Sequence, residues 1–199
     1  MYVGLSWGSY STGNEIEIRR VVQEQVIPGM KQQPGFDGYI GGIDRSAENV
    51  VGLSFWETRD QAQAMTAQPA QLASLVRSQL DDYYRVVIFT AGFLQPSRNG
   101  GTSTLSLRIN LGSYNVENEA QLIKTTREQF LPIIHTFPGS LGILAGVQRS
   151  VGKLVTVSVW ESVGQAQALE AQRSKFSSLV QYKPTEMYEI TAQVVNPGL

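Results

Sequence analysis

The sequence predicts an α+β fold built from two tandem βαββαβ repeats of about 100 residues each. Three observations predict it. Shifted by about 104 residues the chain falls into register with itself, and roughly a third of the superposed positions are identical. Apolar residues alternate at strand spacing and recur at helical spacing in the same order in both halves. Between the halves, Gln95-Pro96-Ser97-Arg98-Asn99-Gly100-Gly101-Thr102-Ser103 has the composition of a flexible linker. The expected division is a first repeat over 1–94, a linker over 95–103 and a second repeat over 104–199, the two folding together.

Each repeat opens with a strand, over Val3 to Trp7 and over Leu105 to Leu111. In the second, Leu105, Leu107, Ile109 and Leu111 alternate with Ser106, Arg108 and Asn110, the period-two pattern of a strand. A helix follows, with Ile18, Val21, Val22, Gln25, Val26, Gly29 and Met30 at helical spacing, echoed by Ile123, Thr126, Phe130 and Ile134. Pro28 and Pro132 sit late in these helices, where a missing N–H bends a helix or ends its regular bonding. Pro34-Gly35 and Pro138-Gly139 then stop it. Two strands come next, Phe36–Asp44 with Val50–Trp56 and Ser140–Gln148 with Leu154–Trp160.

The second helix starts on a capping box in both copies, Thr58 with Gln61 and Ser162 with Gln165. Its buried stripe is Ala62, Met65, Leu72 and Val76, echoed by Ala166, Leu169, Phe176 and Val180, with Pro69 as a kink in the first copy. A last strand closes each half, over Tyr84–Phe93 and Met187–Val195. This order is the ferredoxin-like arrangement, an antiparallel sheet with both helices on one face. The uncovered sheet face must also be buried. Two copies in one chain achieve this sheet to sheet, as one fused, pseudo-dimeric α/β barrel with helices outside and an internal pseudo-twofold.

Composition narrows the function classes. With 42% hydrophobic and 17% charged residues and a net charge of −1, the chain is an ordinary globular protein without a basic face, so nucleic acid is not an expected partner. No run of 18 apolar residues is present, so no membrane span is expected. The opening residues lack the order of a signal peptide, and a cytoplasmic protein is expected. Without cysteine there is no thiolate nucleophile, disulfide or zinc–sulfur site. The glycines Gly38, Gly41, Gly42, Gly139, Gly142 and Gly146 are expected within strands, with no helix start following and no Lys-Ser or Lys-Thr pair, so they mark bulges and close approaches, not a phosphate cradle.

Pro34-Gly35-Phe36-Asp37-Gly38 after the first helix, and Trp-Glu-Thr or Trp-Glu-Ser at the end of the third strand before an Ala-rich helix, resemble the dimeric α/β-barrel superfamily of antibiotic-biosynthesis-monooxygenase type. The resemblance covers nearly the whole chain, once per half. It implies a pocket between helices and sheet that uses the third-strand Trp and a first-strand Asn. Trp56 and Trp160 stand at the Trp position; Asn110 matches the Asn in the second half, where the first half has Ser6. Haem-degrading members carry a His about ten residues past the Trp. Here Thr66 and Glu170 stand there, which counts against haem, and no cofactor is expected.

Each candidate keeps two readings. Trp56 and Trp160 could line a pocket that excludes water, or fill the core beside the helix. Asn110 could contact a ligand, or be a solvated or backbone-bonded residue of the same parity as Ser106 and Arg108. His135, the only histidine, could serve as a general base, or interact with the carbonyls at a helix end; alone it makes no metal site. Arg45 and Arg149 could bind an anion, or punctuate a hairpin. The expected catalytic set is Trp160, Asn110 and His135, and the expected substrate-binding set is Trp56, Ser6 and Trp160. Of the two halves, the second carries both Asn110 and His135.

Two functions follow. One is a cofactor-independent oxygenase of a small aromatic or quinol-type substrate, implied by the resemblance. The other is a non-catalytic small-molecule-binding or assembly protein, since the repeats share no titratable constellation. Expected partners are a small-molecule ligand and no membrane. The chain would act alone, with its internal pseudo-twofold, or as a further homo-oligomer.

Overall fold

The apolar alternation of the first half produces β1 (Tyr2–Ser9), β2 (Phe36–Asp44), β3 (Asn49–Trp56) and, later, β5 (Val87–Leu94). A computed structural model describes residues 1–67, 79–83, 87–94, 105–171 and 179–195. The expected linker 95–103, together with Pro69, Leu72, Val76, Tyr84 and Phe176, lies outside the described residues. Between β1 and β2 runs a helix in three stretches: α1 (Glu15–Val21), a π-helical turn (Val22–Val26) and α2 (Ile27–Lys31). Helix α3 (Arg59–Ala67) and the short strand β4 (Asp82–Tyr83) complete this half.

The second half repeats the plan. It contains β6 (Ser106–Ser113), α4 (Glu119–Thr125), a π-helical turn (Thr126–Phe130), α5 (Leu131–Thr136), β7 (Ser140–Gln148), β8 (Lys153–Trp160), α6 (Val163–Ala168), β9 (Gln181–Tyr182) and β10 (Glu186–Val195). The prolines interrupt the regular bonding of the first helices, as expected, without ending them. In both halves the chain widens to an i to i−5 bond just before the proline, Ile27 N–H to Val22 O and Leu131 N–H to Thr126 O, and then resumes as α-helix. A π-turn absorbs the carbonyl that proline cannot bond.

The chain forms two compact units, Met1–Thr90 with Tyr188–Leu199, and Ala91–Met187. In the first, β3 lies antiparallel between β1 and β2, and β1 also pairs with β4 and β5. Strand β10, although it belongs to the second repeat in sequence, pairs antiparallel with β2 from Glu189↔Ile43 to Val195↔Gly38. Ala192 accordingly joins a core with Tyr10, Ile18, Val22, Ile27, Tyr39, Ile43 and Val50. Gly42 lets β10 approach: a Cβ there would stand 2.7 Å from the Tyr188 Cβ. In the second unit, β8 lies between β6 and β7, and β6 also pairs with β9. The register slips by a residue between Phe36 and Gly38 and between Ser140 and Gly142, a bulge at the same place in both copies.

Both capping boxes form. The Gln61 amide N–H donates to Thr58 Oγ1 (3.3 Å), and the Gln165 amide N–H donates to Ser162 Oγ (3.3 Å). Arg45 and Arg149 stand in the β2–β3 and β7–β8 hairpin turns, as the punctuation reading expects, and each is held there by carboxylates of its own unit. Arg45 bridges Glu15 (2.7 Å) and Glu189, and Arg149 bridges Glu119. Tyr114 Oη donates to the same Glu119 carboxylate at 2.9 Å.

Candidate functional site in the second unit

The register of β6 against β8 places Ser106 opposite Trp160, Arg108 opposite Ser158 and Asn110 opposite Thr156, so these six side chains share one sheet face. That face is the one the helices cover, because Trp160 packs with Ile134 of α5 and with Ala166 and Leu169 in and after α6. A sheet face under helices is normally apolar. Here Ser106, Arg108, Asn110, Thr156 and Ser158 are all buried in it, Arg108 to 3% exposure. The expectation that Asn110 is solvated or backbone-bonded is thereby corrected. Strand alternation separates two faces but does not say which of them meets water.

The polar row is internally bonded. Asn110 Nδ2 donates to Thr156 Oγ1 (3.3 Å), and Thr185 Oγ1 donates to Asn110 Oδ1 (2.8 Å). The Arg108 Nη2 group donates to Glu170 Oε2 at 2.6 Å, and Thr185 Oγ1 stands 2.9 Å from that same oxygen. The single Thr185 hydroxyl proton is therefore shared between Asn110 and Glu170. Trp160 is fully buried, donates from Nε1 to Ser158 Oγ (2.8 Å) and meets Phe137 edge-on with centroids 5.7 Å apart. His135 is exposed in the last turn of α5, whereas Asn110 and Trp160 are buried on the sheet.

The first unit holds different chemistry at the equivalent positions. Tyr2, Gly4 and Ser6 face Trp56, Ser54 and Gly52. Ser6 Oγ donates to the Gly52 carbonyl (3.2 Å), and a Cβ on Gly52 would stand 2.8 Å from Tyr39 Oη. The tyrosine thus occupies the space that Thr156 takes in the second unit. Trp56 is as buried as Trp160 and packs edge-on against Phe36 at 5.4 Å.

Among the described residues no three His, Cys, Asp or Glu side chains gather as a metal-binding group. Glu170, at the place where a haem ligand would stand, is a carboxylate committed to Arg108 and is unsuited to that role. Arg108, Glu170, Thr156, Ser158 and Thr185 are the site residues that sequence reasoning did not select. The signal was the repeat itself. Arg108 aligns with Gly4, Thr156 with Gly52 and Glu170 with Thr66, so the halves differ where the second carries polar groups.

With this geometry in hand, comparison with solved structures is informative about fold. A candidate monooxygenase from Fusobacterium nucleatum superposes with a TM-score of 0.75 at 8% identity, over 98% of this chain and 94% of that one. An anthrone oxidase-like protein gives 0.68 at 10% identity, covering 98% and 93%. A ferredoxin-fold protein from Listeria monocytogenes, described as related to antibiotic biosynthesis monooxygenases, gives 0.53 at 10% identity, covering 94% of each chain. These likenesses are of fold alone, the α+β ferredoxin-like fold. The similarity extends over nearly the full length of each neighbour. No protein-family model matches the chain, and no curated protein matches it in sequence. No helix among the described residues is long and apolar enough to cross a membrane.

Proposed function

We propose that this protein is an antibiotic-biosynthesis-monooxygenase-like enzyme, a cofactor-independent oxygenase of a small phenolic or quinol-type aromatic, with its site in the second unit. The observation that carries this reading is the buried polar row Ser106–Arg108–Asn110 under the helices, beside the aromatic wall of Trp160. Burying five polar groups on a core face is costly unless they are bonded, and it is retained where polarity serves a ligand. The names of the structural neighbours support the same class.

In such a reaction the substrate loses a proton and its anion supplies electrons to O₂. An activated CH₂ becomes C=O, one oxygen atom entering the product and the other leaving in water. Arg108 supplies fixed positive charge to the anion, the Asn110 amide orients its oxygen, and Trp160 keeps water out. The test is O₂ uptake with a panel of anthrone-type and quinol substrates. Wild type should consume O₂, and Asn110→Ala should lose activity by about a hundredfold, as for removal of one oxyanion donor. His135→Ala in the same assay reads whether the lone imidazole takes the proton. No uptake with any member of the panel would sink the enzyme reading.

One observation favours a non-catalytic alternative: both ends of the Asn110 amide are already bonded, to Thr156 and Thr185. Saturable ligand binding without O₂ uptake would select it.

A further inference from the structure

Two ion-pair systems in this chain have opposite histories across the repeat. The pairing of Arg45 with Glu15 recurs as Arg149 with Glu119, so the scaffold uses it twice. The pairing of Arg108 with Glu170 occurs once. Its arginine aligns with Gly4, which has no side chain at all, and the first unit forms the same strands without it. The fold therefore does not require this pair.

Its geometry is also uneven. The Arg108 side chain is 4% exposed while the Glu170 side chain is 44% exposed, and 2.6 Å separates Nη2 from Oε2. The cation is fixed on a strand inside the unit, and the anion reaches in from the surface just beyond α6. Thr185, itself half-buried, sets its hydroxyl against the same carboxylate oxygen at 2.9 Å. A planar guanidinium and a hydroxyl converging on one carboxylate make a carboxylate receptor, and Glu170 fills it.

We propose that Arg108 and Thr185 form a binding site for the carboxylate of a small organic ligand, and that Glu170 is a built-in competitor which the ligand replaces. Glu170 can leave because its own surroundings are wet, whereas Arg108 cannot follow it. Departure of Glu170 takes away the carboxylate that Nη2 faces, and arrival of another restores it. This deepens the reading of the second unit as the ligand site and rests on that reading, but it does not depend on oxygen chemistry. It assigns the ligand an acidic group.

The experiment is calorimetric titration of benzoate, with benzamide as the neutral isostere, into wild type, Glu170→Gln and the double variant Arg108→Met/Glu170→Gln. Glu170→Gln should bind benzoate about tenfold tighter than wild type, the competing anion being gone. The double variant should lose that binding, and benzamide should bind none of the three comparably. Equal benzoate affinity in wild type and Glu170→Gln, or benzoate binding that survives in the double variant, overturns the proposal. Should Glu170→Gln fail to fold, Glu170→Ala removes the same anion, and the same tightening over wild type is expected; no tightening overturns the proposal. Asn110-dependent O₂ uptake on a neutral quinol without benzoate binding would remove the carboxylate site and leave the oxygenase. Benzoate binding without uptake would do the reverse.

Discussion

Trp56 and Trp160 are equivalent in sequence, equally buried, and different by one hydrogen bond. Trp160 Nε1 donates to Ser158 Oγ at 2.8 Å, whereas Trp56 Nε1 is buried with no hydrogen-bond partner. The serine is present in both copies, but Ser54 donates to the Gly4 carbonyl (3.4 Å), which a residue without a side chain leaves open. Replacing Trp160 by Phe orphans Ser158, while replacing Trp56 by Phe removes an indole N–H that was already unsatisfied. Trp160→Phe should therefore cost about 1 kcal/mol more than Trp56→Phe in urea unfolding. Equal losses would mean that the Trp160 bond contributes nothing net. Both tryptophans were legible from sequence, and their difference was not, because it depends on which way a neighbouring hydroxyl turns. The polar row was hidden for a related reason. Ser106, Arg108 and Asn110 show the alternation of a water-facing edge, and only the packing of α5 and α6 reveals that this face is covered.

At the scale of elements, the best-read signals were those with a local mechanism. Thr58-x-x-Gln61 and Ser162-x-x-Gln165 specify helix starts because each caps free amides within one turn, and both do so. Gly139, expected within a strand, instead stands in the turn before β7. Its φ of +76° disfavours any side chain, and a Cβ would strike the Gln165 side chain of the cap. Gly139→Ala should destabilise by at least about 1 kcal/mol in the same unfolding assay, and a neutral result would mean the turn relaxes freely. What joins elements was less legible. Glu119 at the start of α4 ties the end of β6, through Tyr114, to the β7–β8 turn, through Arg149. Arg149 chiefly, with Tyr114 also contributing, holds the Glu119 carboxyl below its ordinary value of 4.5 against the opposing effect of burial. A depressed carboxyl contributes stability that is present above its unfolded value and lost as pH falls through the folded one. Glu119→Gln should thus flatten the acid side of the stability profile, measured as midpoint against pH below about 5. An unchanged acid limb would show the pair to be inert.

At the scale of the whole molecule, repeat and folding unit are not the same length of chain. The internal likeness in sequence is plain from Gly8-Ser9-Tyr10 against Gly112-Ser113-Tyr114 and from Trp56-Glu57 against Trp160-Glu161. The partner of the last strand is not, since a strand's alternation fixes its faces and not its neighbour. Strand β10 completes the first unit beside β2, where Ala192 enters the core, Gln23 Nε2 donates to the Thr191 carbonyl (3.1 Å) and Arg45 bridges Glu189. Cutting the chain at the sequence repeat removes all of these at once. It also exposes β2 as an edge whose residues Gly38 to Ile43 are all buried in the intact protein, a poor edge to present to water. A fragment of residues 1–94 should therefore lack a cooperative thermal transition as a monomer, followed by circular dichroism with the mass checked by light scattering. Adding β10 as a peptide of residues 186–199 should restore one. A cooperative monomeric transition in the fragment alone would show that the first repeat closes its own sheet, and that β10 adds to a unit already complete.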